Sequence, residues 1–354
     1  MAKSSITSSA IRILSAVLLL GGLTFGATKK ASSSGSKAKV SKTSGKTPAK
    51  SPQKSTAKSK PNSAAKSIAK PKPTPPPVPL APGELPLVAR SAMLVDAKTG
   101  EVLYEKNPDE MEYPASATKI LTALLVIERG ELDKLVTIQI EDTKVEPSAL
   151  DFKTGEQYAR KHLLFALLLK SANDVALALA RDNAGSVEAF AEKMNRRAEE
   201  LGAGDSHFTN PHGLHDPHHF TTARDLACIA RFAMQNPLFR EIVCTPEIGM
   251  ARGDDWVVMR NHNKLLKMLP GCNGVKTGFT RAAQQVLVSS AIRDGHEAIA
   301  VVLHTNHPGI WEDSKTLLEH GFEKLNLPPE ERRAARVAPI GAEPAKVEQG
   351  SAGK

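Results

Sequence analysis

The sequence predicts an α+β fold, and three observations carry that prediction. Alternating apolar residues open the region that can fold and return near its end; long helical apolar runs fill the interval; and the Lys-, Ser- and Pro-rich stretch before residue 84 has too few large apolar side chains to join a core. Strands at both ends with helices between them are expected to form one antiparallel sheet with a helical region inserted.

The elements follow in order. Ser91 to Val95 and Val102 to Tyr104 flank an Asp-Ala-Lys-Thr-Gly turn ending at Gly100, the pattern of a β-hairpin. Thr118 to Arg129 is an apolar helical run stopped by Gly130. Helices are expected from about Glu156 to Lys170 and from Asn173 to Asp182, broken at Ser171, and then over Val187–Leu201 and Thr222–Gln235. Strand patterns return at Gly274–Lys276, Val286–Ala291 and Glu297–Leu303, with a turn at Asp294 and Gly295. A closing helix from Trp311 to Leu325 ends before Pro328. The folded domain is thus expected over residues 84–327, followed by a polar, flexible tail over 328–354.

The first quarter has another character. Residues 1–27 carry Lys3 and Arg12 and then an apolar run from Ile13 to Phe25, the layout of a secretory signal, cleaved near Gly26 or Ala27 or kept as an N-terminal anchor. Either outcome puts the protein outside the cytoplasm, in the periplasm or on the cell-wall side of the membrane. Residues 28–83 read as a disordered tether, stiffened near its end by Pro71, Pro73, Pro75, Pro76, Pro77 and Pro79. No acidic residue precedes Glu84, so residues 1–83 carry +15 of a whole-chain charge of +9, leaving −6 for the remainder. The basic balance belongs to the tether. It suits anionic envelope polymers or lipid as well as a plain soluble spacer, and nucleic acid is excluded as a partner by the exported location. The three cysteines, Cys228, Cys244 and Cys272, are too few for a disulfide framework and leave the pairing open.

Chemistry enters with Ser116 and Lys119, a Ser-x-x-Lys pair at the start of the first long helix, where a spacing of three brings both to one face. A serine hydroxyl needs a base within reach, and lysine can serve only when neutral. Its pKa would have to fall from about 10.4 towards about 7, roughly 4 kcal/mol, supplied by burial and a second cation. Alone the pair is weak: the tether repeats it at Ser34/Lys37 and Ser51/Lys54, and Lys-Thr-Gly occurs three times, ending at Gly100, Gly155 and Gly278. Order decides. Ser-x-Asn occurs once after Ser116, at Ser171 and Asn173, and only Lys276-Thr277-Gly278 follows it in a strand setting. That ordered set belongs to penicillin-binding proteins and class A β-lactamases. An N-cap serine and a snorkelling lysine would be the plain structural reading of Ser116 and Lys119, and the other two motifs outweigh it.

On these residues the chain resembles the low-molecular-weight penicillin-binding proteins of the D-alanyl-D-alanine carboxypeptidase family. Pro114-Ala115-Ser116-Ala117-Thr118-Lys119-Ile120, Asn210-Pro211-His212-Gly213-Leu214 and Asn273-Gly274-Val275-Lys276-Thr277-Gly278 carry the likeness, which spans roughly residues 86–325. The resemblance implies a β-lactamase/DD-peptidase-like fold and a penicillin-sensitive serine peptidase acting on peptidoglycan stem peptides. It needs no metal or other cofactor. It implies Ser116 as nucleophile, Lys119 as base, and Ser171 passing a proton to the leaving nitrogen. Asn173, Lys276, Thr277 and Gly278 would hold substrate, and the backbone N–H groups of Ser116 and Phe279 would form the oxyanion hole. Phe279 stands where relatives often carry His, Gln284 where Gly is frequent, and His262 and Thr305 where some relatives place arginines. A DD-endopeptidase acting on cross-links is the near alternative. A β-lactamase would need a glutamate in a convincing motif between Asn173 and Lys276, and none stands there. A catalytically weak envelope-binding protein is the reading from another class. The five histidines from His207 to His219 invite a metal, but their spacing puts no three on one face, and His212 and His219 are expected to fix a loop around the site. Trp256 and Trp311 read as packing residues.

Overall fold

The computed structural model describes residues 83–252 and 255–326. The proposed signal segment, the tether apart from Gly83, and the C-terminal tail lie outside them. Among the described residues no helix is long and apolar enough to cross a membrane.

The expected single sheet is present. Strands β1 (Ser91–Asp96), β2 (Val102–Lys106), β7 (Cys272–Thr280), β8 (Gln284–Arg293) and β9 (His296–Thr305) form a five-stranded sheet of order β2-β1-β9-β8-β7, with every neighbouring pair antiparallel. The N-terminal hairpin therefore docks directly on the last strand, and β7, which carries Lys-Thr-Gly, lies at an edge. Because β9 is central, both its faces are covered: Ile299, Val301 and Leu303 join the core on the helical side, while Ala298, Ala300 and Val302 join the one beneath α8 (Gly309–Leu325). That is why its sequence is a nearly unbroken apolar run rather than an alternation.

Between β2 and β7 lie the helices. A 3-10 turn, Ala115–Thr118, leads into α1 (Lys119–Arg129), followed by α2 (Arg160–Leu169), α3 (Asn173–Ala184), α4 (Val187–Glu200) and α5 (Ala223–Ala233). Two begin on side-chain caps: Ser186 accepts from Ala189 N–H at 3.1 Å, and Thr222 from Asp225 N–H at 3.1 Å. α1 is buried along nine of its eleven residues, the hub against which α2, α3 and α5 pack.

The structure corrects several expectations. The helix expected from Glu156 begins only at Arg160, because Gln157–Ala159 form β4 and pair antiparallel with β3 (Leu135–Thr137). This non-local pairing outweighs the helical pattern that the segment shares with α2. Further elements were not anticipated: α6 (Pro237–Cys244), the hairpin β5 (Glu247–Arg252) with β6 (Asp255–Arg260), and the short α7 (Leu265–Met268). Asn236 caps α6 by accepting from Leu238 and Phe239 N–H, with Pro237 at the first helical position, a signal present in the sequence. Among the described residues all three cysteines are free. Trp256 is not a packing residue, being 69% exposed, whereas Trp311 packs in the apolar core beneath α8 as expected and also lines a cleft over Ser116.

Candidate active site

Three chain segments meet at Ser116. It lies in the 3-10 turn before α1, and Ala115 ahead of it has φ +45°, a left-handed conformation that costs a non-glycine residue about 1 kcal/mol. Packing holds that turn in place. The Asn210–Leu214 loop crosses it so closely that a Cβ on Gly213, itself at φ +85°, would collide with the Ala115 carbonyl. From the other side comes β7: a Cβ on Gly278 would lie 2.8 Å from Ser116 N and 3.0 Å from Ala115 Cβ. The third residue of Lys-Thr-Gly is therefore glycine because the strand backbone must approach the serine backbone.

Lys119 is fully buried, and its Nζ has three polar neighbours: Asn173 Oδ1 at 2.6 Å, the His212 carbonyl at 2.6 Å and Ser116 Oγ at 3.1 Å. The first two are acceptors only. Asn173 is fixed in that orientation because its Nδ2 donates to the Pro147 carbonyl at 2.5 Å. A neutral amine that gives its two N–H groups to these carbonyl oxygens turns its lone pair on the serine hydroxyl. Burial favours this neutral form by pushing the pKa well below its usual value, and the Lys276 charge adds to the effect against the opposing Asp174 carboxylate. Lys276 is itself buried, and burial lowers it to about 7; its Nζ donates to the Thr277 carbonyl at 2.8 Å.

A cleft of ≈ 310 Å³ opens over Ser116, walled by Ser171, Thr277, Gly278 and Phe279. Ser171 has φ +60°, and its buried Oγ has no hydrogen-bond partner. Asn173, two residues on, starts α3, and its backbone N–H donates to the Ser148 carbonyl at 2.8 Å. Phe279 is 58% exposed, so its side chain points away from the core while its backbone runs along the edge strand beside Ser116. All eight residues singled out from sequence thus converge on one place, with Lys119, Asn173 and Lys276 buried behind the cleft wall rather than lining it.

Sequence reasoning missed other parts. Pro147 and Ser148 line the cleft from a loop with no motif, and Ile310 and Trp311 enter from the start of α8. His262, which the sequence did single out, also lines it, its pKa lowered to about 4 by burial and by the charges of Lys276 and Lys170. Thr305 is turned elsewhere, donating to Asp313 Oδ2 at 2.9 Å. Gln284, where glycine is frequent in relatives, has φ +56°, the conformation that favours glycine. His212 and His219 do fix the loop. Thr209 N–H donates to His219 Nδ1 at 3.0 Å, leaving Nε2–H to donate to Thr118 Oγ1 at 2.8 Å, and Leu214 N–H donates to His212 Nδ1 at 3.1 Å. Burial keeps both rings neutral, lowering His212 to about 3 and His219 to about 4.

The D-alanyl-D-alanine carboxypeptidase family profile matches residues 79–307. The chain belongs to that family. The carboxypeptidase DacF of Bacillus subtilis is 35% identical over 267 residues, covering 73% of this chain and 68% of the relative. A D-alanyl-D-alanine endopeptidase of Pseudomonas aeruginosa is 34% identical over 207 residues, covering 57% of this chain and 66% of the relative. The crystal structure of a D-alanyl-D-alanine carboxypeptidase from Mycobacterium tuberculosis superposes with a TM-score of 0.67 at 31% identity, covering 73% of this chain and 98% of that one. Family and fold agree with the α+β architecture expected from sequence.

Proposed function

We propose that this protein is a serine D-alanyl-D-alanine carboxypeptidase that removes the terminal D-Ala of peptidoglycan stem peptides through an acyl-enzyme on Ser116. The observation that carries the reading is the surrounding of Lys119 Nζ: two obligate acceptors, one serine hydroxyl, full burial and a second buried lysine nearby. In this reading Ser116 Oγ attacks the carbonyl carbon of the penultimate D-Ala while its proton passes to Lys119. The oxyanion is received by the backbone N–H groups of Ser116 and Phe279, each donor contributing about 2.7–4 kcal/mol in the transition state. The C–N bond then breaks, and the departing nitrogen takes a proton through Ser171, whose Oγ has no other partner. Asn173 orients Lys119 and the substrate amide, Thr277 donates to the terminal carboxylate, and Lys276 attracts that carboxylate through its field. Water hydrolyses the ester and restores Ser116. β-Lactams would acylate the same oxygen.

Cleavage of cross-links is the second reading, favoured by the endopeptidase relative, since the bond has the same chemistry. The cationic segment over residues 1–83 suits a protein working outside the cytoplasm beside anionic polymers or lipid headgroups. The test is D-Ala release by the purified protein from a monomeric pentapeptide and cleavage of a cross-linked dimer, for wild type and Ser116→Ala. Release from the pentapeptide that disappears in the variant is expected. Cleavage of the dimer alone would move the assignment to an endopeptidase, and release that survives the substitution would remove Ser116 from the mechanism.

A further inference from the structure

A groove larger than the catalytic cleft, ≈ 610 Å³, lies between the β3–β4 pair and the β5–β6 hairpin. We propose that it is a saccharide subsite that holds a pyranose ring of the glycan strand whose stem peptide is being cut; this rests on the carboxypeptidase reading.

The groove presents an aromatic platform. Trp256 is 69% exposed, and its indole lies across β5 where residue 249 is glycine; a Cβ there would collide with the ring at Nε1, Cε2 and Cζ2. The missing Cβ therefore makes room for the ring to lie against the strand, and both residues line the groove. Holding a large side chain in place before binding removes an entropic cost that a free rotamer would carry. Leu135, 55% exposed, stands on the facing wall, and the polar side chains of Glu156, Gln157 and His162 complete the lining. An apolar ring face bordered by donors and acceptors is what a pyranose presents in mirror image: C–H groups on its faces, hydroxyl and acetamido groups around its edge. An N-acetylated sugar is uncharged, and the groove's one carboxylate, Glu156, is offset by Arg252 beside it, Nε to Oε2 3.8 Å.

Continuity with the cleft selects this occupant. Arg252, at the end of β5, donates to the carbonyls of Leu150 and Asp151 and lies 5.2 Å from the centre of the Phe152 ring. Phe152 in turn contacts Tyr158 of the groove, with ring centres 4.5 Å apart. A few residues earlier in the same loop, Pro147 and Ser148 line the cleft over Ser116. Groove and cleft thus flank one loop. A stem peptide is covalently attached to an amino sugar, so a polymer whose peptide end occupies the cleft carries its sugar within the same ligand.

The test compares the full-length wild type with Trp256→Ala and, on the facing wall, Leu135→Asp. Two substrates are used: a free pentapeptide ending in D-Ala-D-Ala, and uncross-linked glycan strands bearing that peptide. The expected result is a fall in kcat/KM on the strands of roughly five- to ten-fold in either variant, with the free peptide unaffected. Calorimetric titration with a peptide-free oligosaccharide of N-acetylated hexosamines should show binding to wild type that Trp256→Ala loses. Equal losses on both substrates, unchanged strands, or no oligosaccharide binding would overturn the proposal. So would conversion of a dimer to a monomer by Trp256→Ala, which would make the groove a contact between two copies of this chain. If neither substrate releases D-Ala, the carboxypeptidase reading fails, and the titration still decides whether the groove takes sugar.

Discussion

In the proposed mechanism, the protonation of two buried lysines sets the chemistry at the scale of single residues. Lys276 has its pKa lowered to about 7 by burial, so its charge is present below that pH and lost above it. Lys119 must be neutral to act, and its depressed pKa makes that form available on the acid side of the ordinary lysine range. Acylation by penicillin, a carboxylate, is therefore expected to rise with pH as Lys119 deprotonates and to fall as Lys276 loses its charge around pH 7; the two limbs belong to the coupled pair. In Lys276→Arg, which stays charged throughout, the falling limb should move up by two units or more. A falling limb that stays in place would assign it to another group. Ser116, Lys119, Ser171, Asn173 and Lys276 were all legible because side-chain chemistry leaves letters in a sequence. The His212 carbonyl that completes the Lys119 environment was not, since every residue has a carbonyl and only the fold aims one. Nor was Trp311, which reaches the cleft from almost two hundred residues along the chain.

Among elements, the edge strand β7 and the turn before α1 must approach backbone to backbone. Gly278→Ala would insert a Cβ 2.8 Å from Ser116 N and force strand and turn apart. Acylation is expected to fall by at least about a hundred-fold, as for loss of an oxyanion donor, with a stability loss of only about 1–3 kcal/mol. Rapid-mixing acylation kinetics beside denaturant unfolding would measure both; normal acylation would show that the backbone contact is not part of the site. This contact explains why Lys-Thr-Gly at Gly278 differs from its chance copies at Gly100 and Gly155, whose φ of +77° and +91° belong to ordinary turns. Long elements were readable for the same reason that they are stable: α4 and α5 repeat one apolar face, and α1 is a nearly unbroken apolar run buried on most sides. β4 and the β5–β6 hairpin were not, because short strands are defined by partners distant in the chain rather than by their own pattern.

At the scale of the whole described domain there is one main sheet with an apolar core on each face, and the first and last strands to enter it are tied to the closing helix by one carboxylate. Asp313 in α8 accepts from Val88 N–H at 3.0 Å, Ala89 N–H at 2.8 Å and Thr305 Oγ1, joining the entry to β1, the end of β9 and the closing helix. Asp313→Ala would strand buried donors and is expected to cost about 2–4 kcal/mol, read as a lower denaturation midpoint. An unchanged midpoint would mean that these donors find other partners. The α+β class was legible at this scale because strand and helix patterns segregate along the chain. The strand order was not, since nothing in β9 itself says that it lies between β1 and β8.

The central claim, that Ser116 is the nucleophile and Lys119 its base, is tested most directly by mass spectrometry of the protein after brief exposure to benzylpenicillin. The expected result is one covalent adduct on the peptide containing Ser116, absent in Ser116→Ala and formed about 10²–10⁴-fold more slowly in Lys119→Gln. An adduct on another residue, or one that forms as fast without Lys119, would contradict it.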